Sequence, residues 1–248
     1  MAVRPRARRG RGRHFLRSSK LAAELVRAAG IRRGDLVYDL GAGAGILTSA
    51  LARAGARVVA VEIDHELASD LRCRFPDVVE GNAARLELPR EPFKAVANLP
   101  FAGGTAILRR LLRPESPLMT ADVVLEWSVA AKRAAVWPST QLSTYWSAWF
   151  ELSVVRRLPR SVFAPPPRVD AGLLRVVRRG KPLVAVKDGR AYAAFLARAY
   201  RDGPRSVIPL PTMKRLATEL GFDRHAVPRD LDARQWAALF EHAVRKDV

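Results

Sequence analysis

Cysteine is nearly absent: Cys73 is the only one in 248 residues, so no intrachain disulfide can staple the fold. That suits a reducing compartment, and the expected location is cytoplasmic. Cys73 itself, in Leu71-Arg72-Cys73-Arg74-Phe75, is expected to pack at a helix end. The four histidines (His14, His65, His225, His242) show no metal-ligand spacing, so no metal site is expected. Apolar runs are too short for the roughly 20 residues a membrane-spanning helix needs. The basic start, Arg4 to Arg17, is not followed by the apolar core of a signal peptide. No membrane partner is therefore expected. Acid is scarce too, with 24 Asp and Glu against 43 Lys and Arg, a formal charge of +19.

That imbalance attracts polyanions. Nucleic acid is the leading partner, because neutralising phosphates releases counterions. A hydrophobic content of 49% is ordinary for a folded chain. The length suffices for one large α/β domain and a small appended one, expected to work as a monomer. Residues 1–13 hold six arginines and no acid, and read as a basic arm. A helix follows, with Ser18 or Ser19 as N-cap, a stripe of Leu21, Leu25, Val26 and Ala29, and Gly30 to close it.

From residue 36 short apolar runs alternate with helices. Leu36–Leu40, Val58–Val61, Val78–Val79, Ala95–Ala97, Val123–Leu125, Leu152–Val155 and Leu173–Val177 are predicted strands. Leu47–Ala54, Glu66–Phe75 and Thr105–Leu112 are predicted helices. Strand–helix alternation with fully apolar strands means a parallel sheet covered on both faces. The last two strands, joined across Ala164-Pro165-Pro166-Pro167, are expected to form an antiparallel pair at the sheet edge. After Gly180 and Pro182 the strand pattern stops, and 189–201, 212–220 and 232–245 read as helical. The expected division is therefore an arm over 1–13, an α/β domain over 14–180 and a helical domain over 181–248.

The first strand ends in Asp39-Leu40-Gly41-Ala42-Gly43-Ala44-Gly45, immediately before a helix. Glycines there let the backbone approach a ligand, with helix N–H groups facing it. Glu62, twenty-one positions past Gly41 and at the end of the second strand, can accept the ribose hydroxyls of an adenosine. Asn82, at the end of the third, can hydrogen-bond an adenine edge. Gly41, Gly43, Glu62 and Asn82 alone do not choose between NAD and S-adenosylmethionine. The missing Gly-x-Gly-x-x-Gly spacing favours the methyl donor. So does the fourth strand's ending, Asn98-Leu99-Pro100-Phe101.

An exocyclic adenine amine is a poor nucleophile, because its lone pair is delocalised into the ring. Acceptors that hold it pyramidal help it attack a methyl sulfonium. The Asn98 side-chain oxygen and the Leu99 carbonyl can do that. Pro100 fixes the backbone and has no N–H to compete. Phe101 offers a stacking face. Such a pocket reaches an unpaired or flipped-out adenine only.

These residues resemble the Erm and KsgA group of ribosomal RNA adenine N6-methyltransferases over roughly residues 12 to 180. Arg13-His14-Phe15-Leu16 resembles the segment that covers the cofactor in that group, giving His14 and Leu16 as cofactor-binding residues. Gly41, Glu62, Asn82 and Asn98 match its cofactor positions, and Phe101 its target-base aromatic. The resemblance implies a Rossmann-like class I methyltransferase with a seven-stranded sheet and a small all-helical C-terminal domain, using S-adenosylmethionine. Pro159-Arg160-Ser161-Val162-Phe163 through Val169-Asp170-Ala171, and Leu125-Glu126-Trp127-Ser128, are closer to Erm. Erm membership implies methylation of one adenine in 23S rRNA near the peptidyl-transferase centre, with resistance to macrolides, lincosamides and streptogramin B. The chain departs from the pattern at His14 (Asn in the group), at Asn82 (often Asp) and at Ala102-Gly103-Gly104. Three alternatives stand beside this reading: a KsgA-like 16S rRNA dimethyltransferase, a non-catalytic RNA-binding or transcription factor on the same fold, and a DNA adenine methyltransferase. By charge, the expected RNA path runs over Arg4, Arg6, Arg8, Arg9 and Arg11 of the arm and over Arg156, Arg157 and Arg160.

Overall fold

The computed structural model describes residues 14–244. The arm arginines Arg4, Arg6, Arg8, Arg9 and Arg11 lie outside the described residues. In chain order the elements are β1 (Phe15–Leu16), α1 (Ser19–Ala28), β2 (Leu36–Leu40), α2 (Ile46–Arg53), β3 (Arg57–Glu62), α3 (His65–Arg72), β4 (Val78–Glu80), β5 (Phe93–Asn98), α4 (Gly104–Leu111), β6 (Leu118–Glu126), α5 (Trp127–Ala134), α6 (Gln141–Ser147), β7 (Phe150–Leu158), β8 (Phe163–Ala164), β9 (Ala171–Arg178), α7 (Gly189–Asp202), α8 (Leu210–Leu220) and α9 (Ala233–Val244).

Seven strands form one sheet in the order β4-β3-β2-β5-β6-β9-β7. The first five in that order are parallel, and β9 runs antiparallel to both of its neighbours. The expected antiparallel pair is present, but only β7 is at the edge; β9 inserts between β7 and β6. Burial explains the swap. β9 buries Ala171, Gly172, Leu173, Leu174 and Val176, whereas β7 exposes Glu151, Ser153 and Val155–Arg157. The more apolar strand takes the covered position.

Ser18 is the N-cap of α1, its hydroxyl accepting from Leu21 N at 3.2 Å, and Leu21, Ala22, Leu25 and Val26 bury one stripe. They join Leu47, Leu51, Val96, Val124 and Phe163 in a core on one face of the sheet. The other face carries the larger core. There Leu108, Leu111, Trp146, Leu174, Tyr192, Leu196, Trp236 and Phe240 belong to a single cluster. Buried side chains are thus continuous across residue 180, and the C-terminal helices complete the α/β core. Cys73 corrects the packing expectation, for it is exposed at the end of α3.

A second, two-stranded sheet escaped the sequence reading. β1 pairs antiparallel with β8, Phe15 opposite Ala164 and Leu16 opposite Phe163, and Arg17 N donates to Val162 O at 2.9 Å. Two-residue strands carry no periodicity to read. This pairing lays the segment after the arm across the C-terminal edge of the sheet, where β2, β3, β5 and β6 end.

Candidate active site

The turn from β2 into α2 is the floor of the site. Gly41, Gly43 and Gly45 all have positive φ, at 78°, 56° and 77°, a backbone that side chains disfavour. Gly43 also needs the space. A Cβ there would come within 2.6 Å of the Phe15 ring. Phe15 therefore lies directly on the glycine turn, held there by the β1–β8 pairing.

Glu62 is buried at the end of β3. Its Oε2 accepts from Gly43 N at 2.8 Å, and its Oε1 accepts from Ile63 N and Asp64 N, both at 2.9 Å. A carboxylate has about four acceptor sites, so one on Oε2 remains open. Beside it, Ile63 is 62% exposed, a bare apolar surface next to a polar clamp. Asn82 is exposed just past β4 and lines neither cavity of the site. Its Oδ1 caps the following turn through Ala84 N at 2.9 Å, which leaves its amide N–H groups as the free polar function.

Asn98 closes β5. Its Nδ2 donates to the His14 carbonyl at 2.7 Å, which fixes the orientation of the amide, since only nitrogen can donate. Its Oδ1 is buried without a hydrogen-bond partner. Buried polar atoms are rarely left so. Leu99 N donates to Val124 O at 3.0 Å, and no described residue donates to the Leu99 carbonyl. Pro100 O accepts from Gly103 N and Gly104 N at 3.0 and 2.9 Å, turning the chain into α4. Phe101 is half-buried between His14, at 5.2 Å between ring centroids, and Phe163, edge-on at 6.2 Å. The His14 ring is tethered by Nδ1 to Pro165 O at 2.9 Å.

Two cavities adjoin across Phe15, Gly41 and Asn98. The smaller, about 100 Å³, is lined by His14, Glu62, Ile63, Leu99, Pro100 and Phe101 among others. The larger, about 350 Å³, also takes in Leu16, Asp39, Arg53 and Arg74. Asp39 was left without a role by the sequence, although it opens the glycine motif. Its Oδ2 accepts from Thr48 Oγ1 at 2.6 Å, and its Oδ1 is buried and unpartnered. Burial, with the nearby Glu62 charge adding, pushes its pKa up to about 7 against the opposing Thr48 bond. The N-terminus of α2 opens on the same cavity with no side-chain cap.

These features fit S-adenosylmethionine residue by residue. A buried unpartnered carboxylate oxygen suits an ammonium. Uncapped helix N–H groups with Arg53 and Arg74 suit a carboxylate. An open acceptor on Glu62 beside bare Ile63 suits a ribose and a purine. Among the described residues no group of three or more His, Cys, Asp or Glu is arranged to hold a metal ion.

The sheet-edge basic residues are less free than the sequence suggested. Arg156 pairs with Glu24 at 3.3 Å. Arg157 pairs with Asp170 at 3.0 Å and lies over the Trp127 ring at 4.8 Å. Arg160 is exposed, and its backbone N–H donates to Asp170 at 3.0 Å. All three stay at the surface, beside the strand pair that leads back to the arm.

Comparison with known proteins gives the same reading. The model of the ribosomal RNA adenine dimethylase family matches residues 4–202. An rRNA adenine N-6-methyltransferase of Corynebacterium diphtheriae is 32% identical over 84% of this chain and 83% of its own. The mycinamicin-resistance protein MyrB of Micromonospora griseorubida is 31% identical over 92% of this chain and 76% of its own. Ribosomal RNA small subunit methyltransferase A of Dehalococcoides mccartyi is also 31% identical, over 90% and 78%. Among solved structures, the 23S rRNA methyltransferase ErmE superposes with a TM-score of 0.80 at 29% identity, covering 93% of this chain and 99% of that one. The chain belongs to the ribosomal RNA adenine dimethylase family, enzymes that use S-adenosylmethionine to methylate N6 of adenine in rRNA.

Proposed function

We propose that the chain methylates N6 of a single adenine in 23S rRNA near the peptidyl-transferase centre and thereby confers resistance to macrolides, lincosamides and streptogramin B. The observation that carries the chemistry is the Asn98 carboxamide, its nitrogen anchored on the His14 carbonyl and its oxygen buried without a partner. The large-subunit target rests on the 29% identity with ErmE over nearly the whole chain and on the similarity to MyrB.

The cofactor, when bound, supplies an electrophilic methyl on a sulfonium. In our reading Glu62 and Ile63 hold its adenosine, with Asn82 at the purine edge. Gly41, Gly43, His14 and Leu16 enclose it, and Asp39 faces its ammonium. The target adenine lies on Phe101, which Phe163 and His14 prop from behind. The N6 amine donates one hydrogen to Asn98 Oδ1 and the other to the Leu99 carbonyl. Both acceptors are fixed before the substrate arrives, so little reorganisation accompanies the charge that develops on nitrogen. The amine needs no strong base. Its surplus proton leaves to water after transfer.

The proposed domain division is arm 1–13, methyltransferase domain 14–180 and helical domain 181–248, acting in the cytoplasm as a monomer. Among the described residues no helix is long and apolar enough to cross a membrane. Mass spectrometry of 23S and 16S rRNA fragments, after reaction with purified protein and isotope-labelled cofactor, tests the target. Label in one 23S adenine is the expected result. Label confined to two adjacent adenines of 16S rRNA would replace this reading with the small-subunit activity.

A further inference from the structure

A cavity of about 630 Å³ lies away from the catalytic edge. It is a groove between α4 and α7, floored by α6. Its rim carries Arg109 of α4, Arg113 just past the end of that helix, Lys187 just before α7 and Arg190 in the first turn of α7. Glu115 is the one carboxylate among the lining residues, and it is paired with Arg113 at 3.2 Å. Arg109, Lys187 and Arg190 are exposed and make no ion pair or hydrogen bond among the described residues. The nearby Arg133 lies over the Trp146 ring and feels the Arg109 charge as well as burial, both of which pull its pKa down. Arg109, Lys187 and Arg190 thus stand without a balancing carboxylate among the groove's lining residues, and a concave low-dielectric wall focuses their field.

Two further features suit an anion. The first turn of α7 has no side-chain cap, although the Gly189 N–H already donates to Val186 O. Tyr145, half-buried in the floor, has its hydroxyl 3.6 Å from where a Cβ on Gly189, the first residue of that helix, would be. The same glycine lies against Pro114, where a Cβ would be 2.9 Å from the ring, so α7 starts tight against the end of α4.

Position matters as much as charge. α4 begins at Gly104, three residues past Phe101. At 1.5 Å per residue, Arg109 is about 7–8 Å further along its axis, and Arg113 lies beyond the helix's last residue, Leu111. The groove walls belong to the core that contains Trp146 and Leu196, on one face of the sheet. Leu16 and Phe163, which carry the arm and the basic edge, belong to the core on the other face.

We propose that the α4–α7 groove binds phosphate groups of the RNA strand flanking the target adenine, so that the substrate is held on both faces of the sheet with the reacting base between. This rests on RNA being the substrate. Phosphate contacts of this kind position a strand without reading its sequence.

The test is Arg109→Gln with Arg190→Gln, neither of which touches the catalytic loop. RNA binding is measured by fluorescence anisotropy across a salt series. The double variant is expected to bind a long target RNA more weakly, with a log–log salt slope shallower by about 1 to 2. Cofactor affinity and turnover at saturating RNA should stay as in the parent. A short RNA carrying the adenine but ending two nucleotides from it should bind both proteins equally. An unchanged affinity and slope for the long RNA overturns the proposal. So does displacement by micromolar AMP together with equal loss of the long and short RNAs, which reassigns the groove to a free nucleotide. Lys187→Gln, on an exposed turn, carries the same test should the double variant not fold. Binding is read without methyl transfer, so a chain that labels neither rRNA refutes the proposed target and leaves this measurement standing.

Discussion

Replacing Asn98 by Ala removes two different things, and the structure separates them. The first is the unpartnered Oδ1, the acceptor proposed for the target amine. Losing one preorganised contact of this kind typically costs ~10²–10³ in rate, about 2.7–4 kcal/mol. The second is the bond from Nδ2 to the His14 carbonyl. A neutral hydrogen bond contributes about 1 kcal/mol net, which for a domain of this size lowers Tm by about 2–4 °C. Asn98→Ala should therefore fold, melt slightly early and lose most of its turnover. Asn98→Asp keeps an acceptor but sets a carboxylate oxygen against the His14 carbonyl 2.7 Å away, so the covering segment should loosen and cofactor affinity fall along with rate. Single-turnover methyl transfer at saturating RNA and cofactor, with calorimetric cofactor binding and melting curves alongside, measures each part. Turnover of Asn98→Ala within a few-fold of the parent refutes the assignment of the acceptor.

Phe101→Ala should weaken transfer by about 1–3 kcal/mol through lost stacking, and Phe101→Tyr should be tolerated; equal rates for the two would show that the aromatic face does not hold the base. Glu62→Ala should raise the cofactor dissociation constant by roughly 1.5–3 kcal/mol, and should lower Tm because Gly43, Ile63 and Asp64 lose their acceptor; calorimetry showing unchanged affinity would make Glu62 purely structural. Asp39 takes up a proton on folding, since its pKa rises from 3.8 to about 7. Its contribution is fully present below pH 3.8 and is lost as pH rises to about 7, with an upper bound on the order of 4 kcal/mol. The stability of the parent relative to Asp39→Asn, which does not titrate, should fall across that window, and a flat difference in denaturant titrations would contradict a neutral buried Asp39. Deleting residues 1–12 should weaken RNA binding and flatten its salt dependence while leaving cofactor affinity alone; superimposable salt series would take the arm out of the RNA path.

The sequence by itself determined what is local. Apolar runs and their spacing set the parallel strands. Gly41 to Gly45 announced a turn where the backbone can approach a ligand, and Glu62 and Asn98 fell at strand ends, where a parallel sheet presents its ligands. The charge imbalance named the class of partner. Tertiary structure alone decided which groups end up partnered. No local pattern could show that β9 inserts inside β7, that Phe15 lies on Gly43, or that Arg156 and Arg157 meet Glu24 and Asp170. Nor could it show that Asp39 and Asn98 each keep one buried oxygen without a partner, because desolvation depends on everything packed around an atom. The α4–α7 groove is the clearest case. Its cations come from segments about eighty residues apart, and only the closing of the C-terminal helices onto the sheet's core turns them into one wall.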